Sequence, residues 1–478
     1  MAESLADGLK NDGVRRCGAK LCNAAGHIAT EISRIVCHYR VSLRAHPLTG
    51  FVHNPTMAAA ANFRLLLNHS SNHAPPARNL EFELLLACCA HALDGDRLEK
   101  CVRQRPDWEI FIGLAEHHRV IPQVYQSLAP YSDRLPVRDF SKIRSRYQAN
   151  ARNALWFTGE LLRILKHLED QGIAALPYKG PALAQTLYAD VTARQFSDLD
   201  ILVRPEEVPK AKQALAHLEY KPGLDLSIGQ ERDFISSGYE CSFDGVAGPH
   251  LLELKWSILP RFYSIPFDVE TLFHRAEHVR LGAHVFPTLS ANDLFLVLCV
   301  HAAKHLWLQL SWLCDITALA RSHRVDWNSV WQQSRQLGIQ RIVAVNLRLA
   351  HDLLGSPLPE EVETWLEQDR GSATIKSEIL QIIRSAEPVD TESPVYFRLT
   401  LGLRERRLDQ FRFLWRLLWT PSLSEWSLVD LPESLSWIYR GVRLLRLGKR
   451  FVALACARPA FFLASERPAD SPRSTTFL

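Results

Sequence analysis

The sequence predicts an α+β protein in which a small mixed sheet is embedded in a mainly helical chain. Helices are indicated by stretches such as "DWEIFIGLAEHHRVIPQVYQSL", where apolar residues recur three and four positions apart. Strands are indicated between such stretches, where "SDLDILV" alternates and "SSGYECSFDGVAGPHLLELKWSIL" has the pattern of two strands joined by a turn at Asp244 and Gly245. The sheet therefore belongs to one central region of the chain.

Changes of composition divide the 478 residues into five regions. Residues 1–78 mix Gly, Ala, Asn, His and Pro, so we expect a poorly ordered extension there, with Met57 as an alternative first residue. We predict an N-terminal helical region at 79–158, the strand-containing core at 159–290, a second helical region at 291–410, and a helical segment with a polar tail at 411–478. Asn292 or Ser290 can cap the first helix of the second helical region.

Charge and cysteine content exclude several classes of protein. The 56 basic and 52 acidic side chains give a net charge of only +4, without the one-signed field of a nucleic-acid-binding protein. The ten cysteines form no C-x-x-C pair, which indicates reduced thiols in a cytoplasmic protein. No apolar run reaches the roughly 18 residues that span a bilayer, and the beginning of the chain has no secretory signal pattern.

The last helical segment places Arg440, Arg443, Lys449 and Arg450 around an apolar helix. We predict a solvated basic face on a helix that docks against the protein, with a role at a membrane surface as the alternative.

Two aspartates interrupt the apolar run "SDLDILV". Side chains two positions apart share a face of a strand, so Asp198 and Asp200 project together while Leu199 and Ile201 face the core. Neighbouring carboxylates repel one another unless a cation offsets their charge, and oxygen ligands suit Mg²⁺. An exposed edge strand with an acidic outer face explains these two residues equally well, so the neighbouring sequence has to decide.

Upstream of the aspartates, Gly180 is followed by Pro181, which favours the end of a strand and the start of a helix. Backbone N–H groups at such a junction can bind an anion, and Lys179 lies beside them. A strand-to-helix turn without a ligand is the simpler interpretation of the glycine alone.

Downstream, "LLELKW" alternates in the same way. Leu252, Leu254 and Trp256 share one face, and Glu253 and Lys255 share the other. Glu253 is the candidate for a third carboxylate if this strand lies beside the aspartates, and is otherwise an ordinary residue facing solvent.

The stretch "HAAKHLW" places His301, Lys304 and His305 on one face of a helix. The spacing of the histidines is that of a zinc helix, but Ala302 stands where the protease motif has glutamate. We therefore predict packing and hydrogen bonding for the histidines. Lys304 is the candidate that reaches nucleotide phosphates.

The order of these features, a glycine at a helix start, D-x-D on a strand and an acid on a later strand, resembles the polymerase-beta-like nucleotidyltransferase superfamily. The segments "YKGPALAQTLY", "SDLDILV", "LELKW" and "HAAKHLWLQLSWLCDI" closely resemble an uncharacterised nucleotidyltransferase family, often encoded near polysaccharide-synthesis genes. The resemblance covers roughly residues 80 to 320, and the ending "DLPESLSWIYRGVRLLRLGK" also resembles the C-terminal portion of the family. It implies a small mixed-sheet nucleotidyltransferase core at 159–290 and a substrate- or nucleotide-binding helical region at 291–410.

The resemblance also implies chemistry. A nucleoside monophosphate would pass from an NTP to an unknown acceptor with release of pyrophosphate, assisted by two Mg²⁺ ions, with Mn²⁺ as an alternative. Asp198, Asp200 and Glu253 would hold the metal, and Glu253 is also a candidate general base.

The resemblance also indicates which residues contact the triphosphate. The wider superfamily usually has Gly-Ser where this chain has Gly180 and Pro181, so the triphosphate contacts fall to Lys179, the Gly180 amide and Arg194, with Lys304 in the second helical region.

Two other functions fit parts of the sequence. A glycosyltransferase also uses D-x-D to hold a metal, but it requires a doubly wound domain of about 100 residues before the motif. A binding module that keeps the fold without catalysis is the second alternative.

For the variants, the sequence predicts that Lys179→Ala and Arg194→Ala weaken NTP binding with the fold intact. It also predicts that Asp198→Asn and Asp200→Asn leave the stability unchanged or slightly higher.

Overall fold

The computed structural model describes residues 80–457, except 91, 225, 359, 386–388, 390–392, 422–424, 426–427, 430, 432–434 and 436. The predicted extension at 1–78, the alternative start at Met57 and most of the polar tail lie outside the described residues.

A five-stranded mixed sheet lies at the centre of the fold. Its strands are β1 (Leu176–Pro177), β2 (Leu199–Leu202), β3 (Lys221–Pro222), β4 (Glu240–Gly245) and β5 (Gly248–Lys255), in the order β1-β2-β5-β4-β3. Only β2 and β5 are parallel, and the other neighbours are antiparallel. A separate hairpin pairs β6 (Glu277–Leu281) with β7 (His284–Thr288). The small mixed sheet in a helical protein is confirmed, and the class is α+β.

Helices surround this sheet in sequence and in space. Those before it are α1 (Leu80–Cys89), α2 (Gly95–Arg103), α3 (Trp108–His117), α4 (Ile121–Leu128) and α5 (Val137–Asp170). Those between its strands and hairpin are α6 (Gly180–Tyr188), α7 (Val208–His217), α8 (Ile228–Ser237) and α9 (Val269–His274). Helix α5 has 34 residues and runs through the predicted boundary at 158. The domain limits themselves remain predictions.

Further helices follow the hairpin. They are α10 (Ala291–Lys304), α11 (Leu310–Arg321), α12 (Trp327–Leu337), α13 (Gln340–Leu354), α14 (Glu360–Gln368), α15 (Arg370–Ser385), α16 (Pro394–Gly402), α17 (Arg407–Trp419) and α18 (Ile438–Ala457). Ser290 caps α10, where its Oγ accepts a hydrogen bond from the Asp293 amide at 3.3 Å. Of the helices that the structure describes, none combines the length and hydropathy that a bilayer crossing requires.

The two faces of the sheet enter different cores. Leu199 and Ile201 of β2 are fully buried with Phe157 and Leu161 of α5. Leu202 instead joins the larger helical core, which includes α10. The face that carries Asp200 is therefore the face turned toward the second helical region.

The basic C-terminal helix departs from its prediction at Arg443, and the side chain of Arg450 lies outside the described part of the chain. Arg440 and Lys449 are exposed, but Arg443 is buried and its guanidinium pairs with Glu425 at 3.2 Å. Its Nε also donates to the Leu417 carbonyl at 2.7 Å. The prediction of a solvated face is wrong for Arg443, because this side chain ties α18 to α17.

Helix α5 holds the loop that leads into β2. The Asn150 amide donates to the Thr192 carbonyl at 3.0 Å and to the Arg194 carbonyl at 3.3 Å. Asn153, one turn further along α5, donates to the Phe196 carbonyl at 3.1 Å. Side chains of one helix thus fix a loop that has little regular structure of its own.

Asn150→Ala should lower the free energy of unfolding by about 1–2 kcal/mol, because two partly buried carbonyl groups lose their donor. Gln148→Ala, at an exposed position of the same helix, is the matched control and should change the free energy of unfolding by less than about 0.5 kcal/mol. Urea denaturation measures both, and equal midpoints for the two variants would contradict the proposed role of Asn150.

Candidate metal centre

Three carboxylates converge at the parallel pair of strands. Asp198 immediately precedes β2, Asp200 lies within it, and the register places Asp200 beside Glu253 of β5. One carboxylate oxygen from each of the three residues lies within 4.8 Å of the other two. Parallel pairing therefore brings together residues more than fifty positions apart, in an arrangement that can hold a divalent cation.

Two lysines lie among these acids. Lys179 Nζ is 3.2 Å from Asp200 Oδ1, and Lys255 Nζ is 3.3 Å from the same oxygen. Lys255 also donates to Glu253 Oε2 at 2.7 Å and to Glu240, which is its partner across the β4–β5 pair. Asp200 and Lys255 are both 3% exposed, so this is a buried network of charges.

The charges in the network raise the pKa of Asp198 and lower the pKa of Glu240. Burial, and then the carboxylates of Asp200 and Glu253, raise the pKa of Asp198 to about 6. Burial alone would raise the pKa of Glu240, but Lys255 and Lys304 outweigh it and lower that pKa to about 2. Glu240 is therefore ionised at neutral pH, whereas the surroundings of Asp198 disfavour its charged form.

Sequence reasoning missed two members of this network, Lys255 and Glu240. Alternation already placed Lys255 on the same face as Glu253, and this was the available signal. Glu240 had no comparable signal, because only the observed register sets it opposite Lys255.

His301 of α10 and His305, which caps the end of that helix, pack against each other as predicted, and His301 also hydrogen-bonds as predicted. His301 Nδ1 is 3.3 Å from Lys179 Nζ, and its ring lies 4.8 Å from the His305 ring and 5.3 Å from the Trp312 ring. Burial, followed by the charge of Lys179, holds the pKa of His301 well below its usual range, so the imidazole is neutral. In the described part of the chain, this pair does not belong to a cluster of three metal-ligating side chains.

Lys304 belongs to the same network of charges. Its Nζ donates to the Tyr239 hydroxyl at 2.7 Å and lies 4.6 Å from the centre of that ring. Burial lowers the pKa of Lys304, and Glu240 opposes this shift. Its predicted contact with nucleotide phosphates remains a prediction.

Gly180 begins α6 as predicted, and its backbone lies against Asp198. Its φ of +55° is in the left-handed region, and a Cβ added there would lie 3.3 Å from the Asp198 carbonyl oxygen. Glycine is thus favoured both by conformation and by the close approach of the two segments. The start of a helix, with free N–H groups, lies next to the acid cluster.

Arg194 occupies a different environment from the one the sequence suggested. Its Nε is 2.9 Å from Asp315 Oδ2, and both side chains are almost fully buried. Tyr188 donates its hydroxyl to the other oxygen of Asp315 at 3.0 Å. This ion pair joins the loop before β2 to α11. The predicted contact of Arg194 with nucleotide phosphates remains a prediction.

Arg119 is a second arginine whose charge interacts with Asp198, besides Arg194, and sequence reasoning missed it. Its charge interacts with Asp198, while burial lowers the pKa of its guanidinium. With Ser197, it lines a cavity of about 370 Å³ at the start of β2. Arg119 has a left-handed backbone with φ +54°, but no pattern in the surrounding sequence marks it.

A family model described as an uncharacterised nucleotidyltransferase matches residues 104–355, just over half of the chain. The chain belongs to this family. The matched nucleotidyltransferase region contains the acidic residues, the lysines around them and Arg119, whereas α17 and α18 lie beyond it. No curated protein matches the chain.

The structure separates the two aspartate variants that the sequence treated alike. Asp200→Asn should destabilise the metal-free protein by roughly 1–3 kcal/mol, because Lys179 and Lys255 lose a buried anionic partner. Asp198→Asn should stabilise it at pH 7, because the charged form of this carboxyl is disfavoured in the folded state.

The pH dependence has a definite sign. The pKa of Asp198 is raised on folding, so its ionisation lowers the stability of the wild type as the pH rises from about 4 to about 7. The stability advantage of Asp198→Asn should therefore grow over this interval and vanish near pH 4. Denaturation in EDTA at several pH values measures it, and stability changes of the same sign in the two variants would contradict this difference.

Arg194→Ala should not leave the fold intact, contrary to the sequence-based expectation. Removing one partner of a buried ion pair typically costs about 3–5 kcal/mol, because Asp315 stays buried without its cation. The double variant Arg194→Met with Asp315→Asn should lose less stability than the sum of the losses in Arg194→Met and in Asp315→Asn. Urea denaturation of these three variants measures the losses, and additive losses would show that the pair is not coupled.

Proposed function

We propose that the protein transfers a nucleoside monophosphate from an NTP to an acceptor hydroxyl or phosphate group and releases pyrophosphate. The observation that carries this proposal is the convergence of Asp198, Asp200 and Glu253 beside the helix start at Gly180. Acids that bind metal and an N-terminal helix end that binds phosphate are the two elements that this reaction requires. Membership of a nucleotidyltransferase family supports the same reaction.

The donor set suits a hard divalent cation. It consists of carboxylate oxygens, two of them on half-buried side chains that a ligand can reach. Oxygen ligands favour Mg²⁺ or Mn²⁺ over zinc or copper. The charges of a pair of such ions and of a triphosphate cancel to a first approximation, so the buried lysine network can persist when substrate binds.

The three acids would have different roles because they lie at different positions in the cluster. Asp198 and Asp200 would hold both cations, and Glu253 would hold the one on the acceptor side. When bound, the metal ions would activate the acceptor oxygen and neutralise charge on the triphosphate. Glu253 is the alternative proton acceptor for an attacking hydroxyl, although its Oε2 already accepts a hydrogen bond from Lys255.

The cations of the chain would orient the triphosphate. We assign this role to Lys179, the amide of Gly180 and Arg119, with Lys304 on the side of α10. Arg119 takes the place of Arg194 in this assignment because Arg194, whose charge also interacts with Asp198, is already paired with Asp315. Arg194 would act indirectly by holding the loop before β2.

The chemical step is a substitution at the α-phosphorus. The acceptor oxygen forms a new bond to this phosphorus as the bond to the bridging oxygen of the pyrophosphate breaks. The proton of an acceptor hydroxyl passes to Glu253 or to solvent, and the lysines and Arg119 stabilise the negative charge on the leaving group.

The fold disfavours the glycosyltransferase alternative. That function requires a doubly wound domain before the D-x-D motif, but the described residues from 80 to 175 contain helices and no strand. The non-catalytic alternative is opposed by the complete acidic cluster.

The buried free thiols Cys299 and Cys314 fit a reducing compartment, so we place the reaction in the cytoplasm. A role in polysaccharide synthesis remains a prediction from the resemblance.

Calorimetric titration of each of the four NTPs, with Mg²⁺ and with EDTA, tests the proposal. We expect saturable binding of at least one NTP that requires Mg²⁺, and its loss in Asp198→Asn, which removes a metal ligand without removing a stabilising ion pair. Arg119→Ala should weaken binding about tenfold or more, the loss of one charge-assisted contact.

Glu270→Gln is the control, because this exposed carboxylate pairs with Arg204 outside the cluster. It should bind NTP like the wild type. Absence of metal-dependent binding of any NTP to the wild type would overturn the proposal, and NTP binding without pyrophosphate release in the presence of cell extract would favour the binding module.

A further inference from the structure

Most of the large apolar side chains that the described part of the chain exposes lie between Leu408 and Leu445, on and around helices α17 and α18. Phe411 is 62% exposed, Trp415 54% and Trp437 64%. Monomeric proteins seldom leave large apolar surfaces open to water, and such surfaces usually contact a partner. We call the exposed side chains of α17 and α18, together with Trp437, the C-terminal surface.

Helix α17 is apolar on its outer face as well as on its inner face. Phe413 is fully buried, and its ring lies 6.0 Å from the rings of Phe262 and Tyr263. This inner face docks α17 onto the protein. On the other side, exposed apolar side chains recur at the three- and four-residue spacing of one helical face: Leu408, Phe411, Leu414, Trp415, Leu418 and Trp419. Packing within the described part of the chain does not explain this outer face.

The aromatic rings of the outer face form one row. The rings of Phe411 and Trp415 stack with their centres 6.4 Å apart, and those of Trp415 and Trp419 stack 5.6 Å apart. The guanidinium of Arg440, in α18, lies 5.8 Å from the centre of the Trp419 ring. Leu444, one turn further along the same face of α18, is also exposed. The outer faces of the two helices therefore adjoin.

The exposed charges of this surface are basic. Among the described residues from 407 to 449, the two acids Asp409 and Glu425 are buried. The exposed charged side chains of the same residues are Arg407, Arg412, Arg440 and Lys449. Tryptophan prefers the interface between lipid and water, and basic side chains attract anionic lipid, so this composition is typical of helices that lie on a bilayer.

The charge pattern favours a lipid surface over a second copy of the chain. A symmetric dimer through this surface would bring basic side chains against basic side chains, and the described acids are buried where they cannot pair with them. Anionic headgroups supply the opposite charge, while the apolar side chains enter the boundary between headgroups and acyl chains. No described helix is long and apolar enough to cross a bilayer, so α17 and α18 would lie along it.

We infer that the C-terminal surface attaches the protein to a membrane leaflet rich in anionic lipid. The sequence raised this role as an alternative for the basic helix α18, and the aromatic row on α17 is the observation that supports it. The attachment does not depend on the proposed transfer reaction, because the surface uses none of the three carboxylates of the acid cluster.

Co-sedimentation of the full chain with vesicles at low salt tests the inference. Vesicles of equimolar phosphatidylcholine and phosphatidylserine should bind the protein at least about tenfold more tightly than phosphatidylcholine alone, because several basic side chains act together. Added salt should weaken this binding, since it screens the charges.

Trp415→Ser should weaken binding to the mixed vesicles about tenfold or more, because the aromatic row loses its central ring. Trp156→Ser is the matched control, since this tryptophan is 42% exposed on α5, outside the C-terminal surface. It should bind like the wild type. Thermal melts of the two variants should agree with that of the wild type, because both tryptophans are exposed.

Arg440→Gln should reduce the preference for phosphatidylserine, because one cation of the surface is lost. Arg138→Gln, at an exposed position of α5, is its control and should keep the preference of the wild type.

Sedimentation with neither kind of vesicle, equal binding to both kinds, or equal losses in Trp415→Ser and Trp156→Ser would overturn the inference. A wild type that binds no vesicles but is dimeric in analytical ultracentrifugation, and monomeric as Trp415→Ser, would assign the surface to a second copy instead.

Discussion

The parallel pairing of β2 with β5 is the interaction on which the rest of the site depends. It sets Asp200 beside Glu253, and it does so through backbone hydrogen bonds that continue past the strand, where the Val203 amide donates to the Lys255 carbonyl at 2.8 Å. The same register places Leu199 beside Leu252 in the opposite core. A shift of one residue would turn the acids into the apolar core, so burial of the leucines enforces the geometry of the carboxylates.

The helical regions make this acid cluster tolerable. Lys179 arrives from the turn before α6 and contacts Asp200, and the neutral His301 of α10 lies against the same lysine. Lys255 supplies the second cation from within the sheet. Buried charges of this kind are costly unless they are paired and hydrogen-bonded. The network supplies that pairing while two of the three carboxylates remain accessible at one side.

The chain extends the family core with a C-terminal region that affects the same end of the sheet. Arg416 of α17 donates to the Arg261 carbonyl after β5 at 3.3 Å, and Arg443 of α18 anchors α17 by its bond to the Leu417 carbonyl.

The sequence alone determined which residues are acidic, alternating or able to start a helix. It therefore predicted the α+β class, the helix at Gly180, the pairing of β4 with β5, and the shared face of Asp198, Asp200 and Glu253, because local periodicity of two or of 3.6 residues governs each of them. The turn between β4 and β5 was predicted two residues too early, since Asp244 and Gly245 belong to β4. Only the tertiary structure decided which charges meet. Arg194 pairs with Asp315, 121 positions away, while the charge of Arg119 interacts with Asp198 and Glu240 lies opposite Lys255. Partners of a charged side chain are set by packing and strand register between distant segments, and no local pattern in the sequence records them.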